Sequence, residues 1–385
     1  MRKKLKEIAV VSSGQSAPQG SNVYSDNGIP FVKAGNLHEL LNGKDISKIQ
    51  KVSNDIAKKY RLKLFKKGTI LFAKSGMSCL KGYVYILPCD AYVVNHLACV
   101  TPKEDISDYL CYLFNFHKPN QLIKDSAYPS ISLSDISNIS VNLVEDSVRL
   151  HRIRILDGLH KIIFAQKKEL LLLDKLIKAR FVELFGDPLK DDVRYPKVPL
   201  GSIADVGSSK RIFEKEYVNE GVPFYRTKEI VELSKGNRIS TELFITRERY
   251  DEIRKNYGTP KTGDLLISAV GTIGVIWIVD GQTDFYYKDG NLLHVAASKK
   301  FVPVYLKQLL ESLISAYKLG MSSGTAYAAL TITALKEMLI FEAPIDQQQK
   351  FAAFVSQIDK SKVAVQKSLE QTQLLFDSLM QEYFG

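Results

Sequence analysis

The stretch LDGLHKIIFAQKKELLLLDKLIKARFVELF, residues 156–185, carries the pattern that decides the fold. Apolar side chains return every seven residues, beside a second heptad position, as in the seam of a coiled coil. The stretch VSQIDKSKVAVQKSLEQTQLLFDSLMQEYF, residues 355–384, repeats this register 199 positions later without a slip. The predicted seam residues are Leu156, Ile163, Leu170, Ile177, Leu184, Val355, Leu369, Phe376 and Tyr383.

Each of these stretches is part of a predicted long helix of about 38 residues, which at 1.5 Å per residue is roughly 55 Å long. Ser147 and Asp346 occupy equivalent positions as predicted N-caps. Two equivalent helices of one chain favour antiparallel pairing, because a parallel pair needs a much longer return connection. Lys362, at a seam position, is interpreted as a residue that fixes the pairing register. A generic linker or an intermolecular coiled coil is the alternative.

The residues that precede each long helix also repeat. Gly28-Ile-Pro-Phe-Val-Lys33 returns as Gly221-Val-Pro-Phe-Tyr-Arg226, and Asn95 is matched with Asn291. The matches keep their order while the offset drifts by a few residues, as loop insertions would cause. Short apolar runs bounded by glycine predict strands, and each repeat also carries a shorter helix, so each is expected to be an α/β (α+β) unit. The predicted domains are globular unit 1–146, helix 147–189, globular unit 190–344 and helix 345–385.

Net charge favours an anionic partner for the globular units. The chain carries a formal net charge of +11, of which residues 147–187 contribute +4 and residues 346–385 contribute −1. The remaining +8 therefore lies mostly on the two globular units, as expected for a protein that binds a polyanion. The four cysteines, Cys79, Cys89, Cys99 and Cys111, show no CxxC spacing. They predict buried thiols in a reducing cytoplasm. No segment of the sequence approaches 18 uninterrupted apolar residues, so no membrane span is expected.

The sequence offers no recognisable catalytic set. A phosphate-binding P-loop, a nuclease Pro-Asp pair, an amino-methyltransferase tetrad and an HExxH metal motif are all absent from the sequence. His96 and His294 are interpreted as near-equivalent packed histidines. We therefore expect a non-catalytic protein without a metal site or a bound cofactor. Two alternatives remain open: an enzyme acting on nucleic acid through an unrecognised site, and a coiled-coil scaffold protein.

Two similar units, each followed by an equivalent long helix, resemble the specificity subunit of type I restriction–modification enzymes. The resemblance rests on Leu-x-x-Ile-Ala at 5–9 and 200–204, on the two Pro-Phe segments, and on the loops at 126–131 and 324–330. It extends to Ala-Pro-Ile-Asp-Gln-Gln-Gln at 343–349, which is similar to the family's helix entry. The first long helix departs from the family because its entry lacks the proline–glutamine pair.

The resemblance implies a target recognition domain in each half, reading one part of a bipartite, asymmetric site in double-stranded DNA. It implies that the two helices act as a spacer and dock two methyltransferase subunits, joined by two restriction subunits. S-adenosylmethionine, ATP and magnesium would belong to those partners, and this chain would hold none of them. With half-sites about 10 base pairs apart centre to centre, roughly five to eight unread pairs are expected between them.

Candidate DNA-binding residues follow strand ends and glycines, where side chains can project from loops into a groove. The alternative is that they are ordinary turn residues and surface lysines. The candidates are Lys33, Asn36, Lys74, Ser75, Lys81, Tyr128 and Ser130 in the first unit, and Arg226, Lys228, Ser268, Thr272, Tyr327 and Thr331 in the second.

Overall fold

The computed structural model describes residues 1–20, 23–190, 194–320 and 329–385. The chain divides into two compact units, each of which takes a part of both long helices. Unit 1 comprises residues 1–166 and 368–385, and unit 2 comprises residues 167–367.

Unit 1 is built on a four-stranded antiparallel sheet in the order β2-β8-β5-β6. A second sheet, β4-β3-β7, pairs β3 antiparallel with β4 and parallel with β7, and β1 pairs with β9. The strands are β1 Arg2–Lys4, β2 Ala9–Ser13, β3 Ile29–Val32, β4 Lys51–Val52, β5 Ile70–Ala73, β6 Val84–Ile86, β7 Tyr92–Val93, β8 Leu97–Pro102 and β9 Ser140–Asn142. The helices are α1 Leu5–Ile8, α2 Asn36–Leu41, α3 Asn54–Lys59, α4 Ser107–Phe116, α5 Leu133–Ser137 and the long α6 Asp146–Phe185.

Unit 2 repeats this topology, with sheets β11-β17-β14-β15 and β13-β12-β16 and the pair β10-β18. Its strands are β10 Lys197–Pro199, β11 Val206–Gly207, β12 Val222–Tyr225, β13 Phe244–Ile245, β14 Leu265–Ser268, β15 Ile276–Ile278, β16 Tyr286–Tyr287, β17 Leu292–Val295 and β18 Leu339–Phe341. Its helices are α7 Thr227–Ser234, α8 Arg247–Asn256, α9 Pro303–Gly320, α10 Ile332–Glu337 and the long α11 Ile345–Phe384.

The repeated Gly-x-Pro-Phe motif has a steric cause. Gly28 and Gly221 have φ values of +122° and +148°, a region that residues with a side chain rarely adopt. A Cβ atom at either glycine would collide with the carbonyl oxygen of Val52 or Ile245, respectively, on the adjoining strand. The motif therefore marks where the chain enters the central strand of the mixed sheet in each unit.

The two long helices run antiparallel within each unit. In unit 1, Arg152 of α6 donates to the carbonyl of Tyr383 at 3.1 Å, and Gln166 donates to the hydroxyl of Ser368 at 2.8 Å. In unit 2, the Lys362 ammonium lies 2.7 Å from the Asp174 carboxylate. Residues further along α6 thus contact residues nearer the start of α11, which is the antiparallel orientation that the sequence predicted.

Of the nine predicted seam residues, five are buried and four are half-buried. The buried ones are Leu156, Ile163, Ile177, Val355 and Leu369. The half-buried ones are Leu170, Leu184, Phe376 and Tyr383. The largest side chains at the helix ends, Phe181, Phe185 and Phe384, were not predicted, yet they enter the core of a globular unit.

Both predicted N-caps were wrong by two residues. The N–H of Arg149 donates to the carbonyl of Glu145 at 2.8 Å, so α6 begins before Ser147. The carbonyl of Pro344 likewise accepts from the N–H groups of Gln347 and Gln348, so α11 begins before Asp346. In both cases a backbone carbonyl, rather than the predicted side chain, marks the helix start. None of the helices in the described ranges has the length and apolar character that crossing a bilayer requires.

Candidate nucleic-acid interface

Two loops of unit 1 are joined side by side at the end of β5. The N–H of Ile131 donates to the carbonyl of Lys74 at 2.8 Å, and the N–H of Gly76 donates to the carbonyl of Pro129 at 3.0 Å. These bonds bring together four of the predicted DNA-binding residues, although the loops are about fifty positions apart in sequence. The four are Lys74, Ser75, Tyr128 and Ser130.

The surface of these joined loops combines polar and aromatic groups. Tyr128 is 82% exposed, and Met77, which was not predicted, is 68% exposed. The hydroxyl of Ser75 lies 2.8 Å from Nδ1 of His96. His96 itself is exposed, so its interpretation as a packed histidine was wrong. Its bond to Ser75 depends on the fold, and no sequence motif indicates it.

Neighbouring charges differ in their exposure around these loops. Lys81 is exposed at the end of a short 3₁₀ turn, whereas Lys74 is half-buried. Burial raises the pKa of the Cys79 thiol, an effect that the charge of Lys74 only partly offsets. Cys79 is therefore a neutral, buried thiol beneath the loops, without the thiolate character that a nucleophile needs.

Lys33 and Asn36 lie at the end of β3, in the other sheet of unit 1. The Asn36 side chain accepts a hydrogen bond from the N–H of Lys33 at 2.9 Å and so stabilises the turn into α2. The Lys33 ammonium donates to Gln50 at 2.7 Å and lies 4.2 Å from the centre of the Tyr24 ring. Asn36 therefore has a structural role in the turn, while Lys33 keeps part of its cationic surface.

Arg226 and Lys228 occupy the corresponding place in unit 2. The N–H of Arg226 donates to the carboxylate of Glu229 at 2.8 Å, and its guanidinium lies 3.1 Å from the same carboxylate. Glu229 is buried, so it holds Arg226 firmly at the start of α7. Lys228 is exposed. Both units thus use a side chain three residues on to bind the N–H that follows the Pro-Phe strand.

Ser268 does not belong to an exposed surface, which corrects its prediction as a DNA-binding residue. Its side chain is fully buried, and its hydroxyl donates to the carbonyl of Thr272 and accepts from the N–H of Val275 at 2.9 Å. The hydroxyl therefore stabilises the turn between β14 and β15. Thr272 is exposed at that turn.

The loop pairing of unit 1 recurs in unit 2. The N–H of Leu330 donates to the carbonyl of Ala269 at 2.9 Å, as Ile131 does to Lys74. The hydroxyl of Thr331 accepts from the N–H of Ala334 at 3.1 Å and caps α10, which gives Thr331 a structural role. Tyr327, the remaining candidate, lies outside the described residues.

The described part of the chain holds no group of three or more His, Cys, Asp or Glu side chains that could bind a metal ion. The Asp264–His294 pair comes nearest, with 2.7 Å between the carboxylate and Nε2. Burial alone would raise the pKa of Asp264, but hydrogen bonds from His294, Ala297 and Lys261 lower it below its ordinary value. Asp264 is buried and His294, on β17, is half-buried, so the pair is a structural contact within unit 2.

The sequence model of the type I restriction modification DNA specificity domain matches residues 1–173 and again residues 193–373. The chain belongs to this family. Membership confirms the resemblance, and the two separate matches correspond to the internal repeat.

Two curated specificity subunits of type I restriction enzymes are similar to this member of the family. A putative one from Haemophilus influenzae is 24% identical over 391 residues, which cover 99% of this chain and 92% of that protein. The MjaIX specificity subunit of Methanocaldococcus jannaschii is 27% identical over 190 residues, 48% of this chain and 43% of that protein.

Solved structures of type I systems share the fold. The S subunit of a type I restriction-modification system from M. genitalium superposes with a TM-score of 0.58 at 13% identity, covering 100% of this chain and 96% of that chain. A chain from a structure of type I complex assembly and conformational transition gives a TM-score of 0.56 at 15% identity, covering 100% and 97%. The predicted fold class is confirmed.

Proposed function

We propose that this chain reads a bipartite, asymmetric DNA sequence for a type I restriction–modification complex. Each globular unit would read one short half-site, and the paired long helices would act as spacer and docking surface. The observation that carries the proposal is that the specificity-domain match and the pair of joined loops both occur twice, once in each half of the chain.

The chemistry of the joined loops supports DNA contact in unit 1. Lysines at 74 and 81 can bind phosphates, which position a protein on the duplex. Hydroxyl groups and the exposed aromatic ring of Tyr128 can contact base edges or the thymine methyl group. The net charge of +8 outside the long helices strengthens such contacts through counterion release.

The half-sites are expected to differ because the loops differ. Lys74-Ser-Gly in unit 1 stands where unit 2 has Ala269-Val-Gly, so one unit offers a cation and a hydroxyl where the other offers apolar side chains. Arg226 similarly replaces Lys33, and a planar guanidinium recognises guanine differently from an ammonium. Two non-identical readers give an asymmetric target.

We further propose that the chain itself is non-catalytic and assembles with two methyltransferase subunits and two restriction subunits. S-adenosylmethionine, ATP and magnesium would then be bound by those partners and not by this chain. The absence of a recognised catalytic motif in the sequence supports this division of labour.

A unit exchange tests the proposal. Residues 1–146 are replaced by the first unit of another family member, and methylated adenines are mapped across the host genome. We expect one half of the target to change and the other to stay. Exchange of residues 190–344 is the matched control and should change only the other half. A single contiguous target, or an exchange that alters both halves, would contradict the two-reader proposal.

A further inference from the structure

Unit 1 contains a cleft of about 750 Å³ on the side of α4, which we call cleft 1. It lies among α4, β6, the first part of α6 and the last part of α11. Its lining includes the large apolar side chains Tyr112, Phe116, Phe376 and Met380. A concave cleft of this volume, lined by apolar and aromatic side chains with a few polar groups, is typical of a binding site.

Cleft 1 is acidic. Asp108, Asp157 and Asp377 line it, together with His160, and none of its lining residues is a lysine or arginine. The Tyr112 hydroxyl donates to Asp157 at 2.6 Å. Burial, followed by the neighbouring carboxylates of Asp157 and Asp105, raises the pKa of Asp108. The carboxylates of this cleft therefore lack a basic counter-charge among the residues that line it.

Unit 2 has a cleft of about 750 Å³ at the equivalent place, cleft 2. The apolar lining corresponds only on the long helices, where Phe181 and Ile177 of α6 stand at the positions of Met380 and Phe376 of α11, 199 residues later. On the shorter helix, the polar Gln308 and Ser312 stand where α4 has Tyr112 and Phe116. The charges do not correspond. Lys178 of cleft 2 stands at the position of Asp377 in cleft 1.

Further charges in cleft 2 are paired with each other. The ammonium of Lys362 lies 2.7 Å from Asp174, and that of Lys307 lies 3.9 Å from Glu311. Lys307 occupies the position of the uncharged Cys111 in cleft 1. Cleft 1 thus combines aromatic side chains of α4 with an acidic rim that no lining lysine or arginine neutralises, whereas cleft 2 has polar side chains at the equivalent places and a mixed rim of paired charges.

We propose that cleft 1 docks a segment of the methyltransferase subunit that carries lysine or arginine between large apolar side chains, and that cleft 2 binds the same segment more weakly. This inference rests on the proposed function, because it requires two copies of one partner. It adds an order of binding: the first copy would dock on unit 1 and the second on unit 2.

Charge complementarity supports the assignment of the occupant. A cation that enters an apolar cleft loses its hydration and needs a nearby carboxylate in compensation. Asp108, Asp157 and Asp377 supply that compensation in cleft 1. In cleft 2, Lys178 would repel the same cation. A neutral or acidic segment would leave the carboxylates of cleft 1 desolvated and unpaired.

Stepwise binding of the methyltransferase subunit tests the proposal. The full chain is titrated with the purified methyltransferase subunit of the same host, and native mass spectrometry gives separate dissociation constants for the first and second copies. We expect the wild-type chain to accumulate a one-to-one complex before the two-to-one complex. Asp377→Lys should weaken the first step at least about tenfold.

A gain-of-binding variant keeps the test independent of folding defects. Lys178→Asp places in cleft 2 the carboxylate that cleft 1 has, so the second step should tighten and approach the first. Glu382→Lys, a charge reversal on α11 outside the cleft lining, is the control and should leave both constants unchanged.

Two results would overturn the cleft assignment: equal dissociation constants for both copies of the wild type, or constants that neither Asp377→Lys nor Lys178→Asp alters. Failure of the wild-type chain to bind any methyltransferase subunit is a different outcome. It would contradict the proposed function itself, together with the inference built on it.

Discussion

The two units share one topology but differ in the residues at equivalent positions of the main sheet. Leu71 pairs with Cys99 in unit 1, and Leu266 pairs with His294 in unit 2, so the cysteine and the histidine are structural equivalents. In unit 1, Thr69 is buried and its hydroxyl lies 3.1 Å from that of Thr101.

In unit 2 the residue equivalent to Thr69 is Asp264, which accepts bonds from His294 at 2.7 Å and from the N–H of Ala297 at 2.7 Å. The position equivalent to Ala297 in unit 1 is Pro102, which has no N–H to donate. A duplicated fold can therefore exchange a neutral contact for a charged one, provided that each partner changes with it. The exchange makes unit 2 sensitive to acid at a place where unit 1 has no ionisable carboxylate.

The largest difference in stability between the units is expected when the last phenylalanine of each long helix is replaced by alanine. Phe185 is fully buried with Phe181, Tyr305 and Phe351, whereas its equivalent Phe384 has fewer aromatic neighbours. Phe185→Ala should lower the free energy of unfolding of unit 2 by about 3–5 kcal/mol, because it leaves a cavity in the core. Urea denaturation followed by fluorescence checks this.

Trp277 is the only tryptophan of the chain and lies in unit 2, so its fluorescence reports that unit. Phe384→Ala is the matched variant, and its effect on the Trp277 transition should be the smaller of the two. An equal or larger effect of Phe384→Ala would mean that the two units unfold together.

The second prediction concerns the Asp264–His294 contact. Asp264→Asn removes a buried, hydrogen-bonded carboxylate and should destabilise unit 2 by about 1.5–3 kcal/mol. Because the pKa of Asp264 is lowered in the folded protein, its stabilisation is fully present above the ordinary value of 3.8 and is lost as the pH falls below it. As the pH falls, the free energy of unfolding of unit 2 should therefore decrease more in the wild type than in the variant. Urea denaturation followed by Trp277 fluorescence between pH 6 and about 3 measures this.

Thr69→Val is the control in unit 1, since it removes a hydroxyl that does not titrate. It should leave the acid response unchanged. If Asp264→Asn and the wild type show the same decline with falling pH, the contact contributes nothing to acid sensitivity.

The third prediction compares the loops after β5 and β14. Tyr128→Ala should weaken binding of the assembled complex to its target by about five- to tenfold, roughly 1 kcal/mol, without a change in stability. Discrimination should relax in one half-site alone. Ser268→Ala should do the reverse, destabilising unit 2 while its DNA contacts stay intact, because that hydroxyl is buried. Fluorescence anisotropy with target and half-substituted duplexes distinguishes these outcomes.

The smallest effect is expected at the polar seam position. Lys362 stands where α6 has Ile163, and its partially exposed ion pair with Asp174 is worth about 0–1 kcal/mol. Lys362→Leu should therefore change the free energy of unfolding by no more than that. Circular dichroism in urea measures it, and a loss above about 2 kcal/mol would assign the pair a larger role in helix pairing.

Much of the fold could be predicted because its signals are local and repeated. The heptad register gave both long helices, and the duplicated Gly-x-Pro-Phe motif reflects a collision that only glycine avoids at residues 28 and 221. The helix starts were missed because the carbonyls of Glu145 and Pro344, which any residue could provide, cap the first turns.

The alignment of the two repeats was less predictable residue by residue. Asn95 was matched with Asn291, but the bonds from Lys74 to His96 and from Ala269 to Asn291 make His96 the equivalent of Asn291. A larger misalignment, of three residues, led to His96 and His294 being treated as near-equivalents, because the strand equivalent of His294 is Cys99. Residue identity carries too little information to fix a strand register, whereas backbone hydrogen bonds fix it directly.

The candidate interface was predictable only as a set of loops. Lys74 and Tyr128 lie close together because backbone hydrogen bonds join their loops, and no sequence pattern predicts these bonds. Ser268 and Thr331 look like Ser75 and Ser130 in sequence, but their hydroxyls are used within the fold. Ser268 is buried and Thr331 is exposed, so residue type and exposure alone do not assign these roles, and the partner of a single hydroxyl depends on tertiary packing.

The core of unit 1 includes Met380 and Phe384, which are supplied by residues 368–385. During translation, that core stays incomplete until the whole of unit 2 has left the ribosome. The half that is synthesised first is thus completed last, and its apolar surface must be kept from aggregating in the meantime. A nonsense mutation before codon 368 would therefore also leave the core of unit 1 incomplete, although that unit is synthesised first.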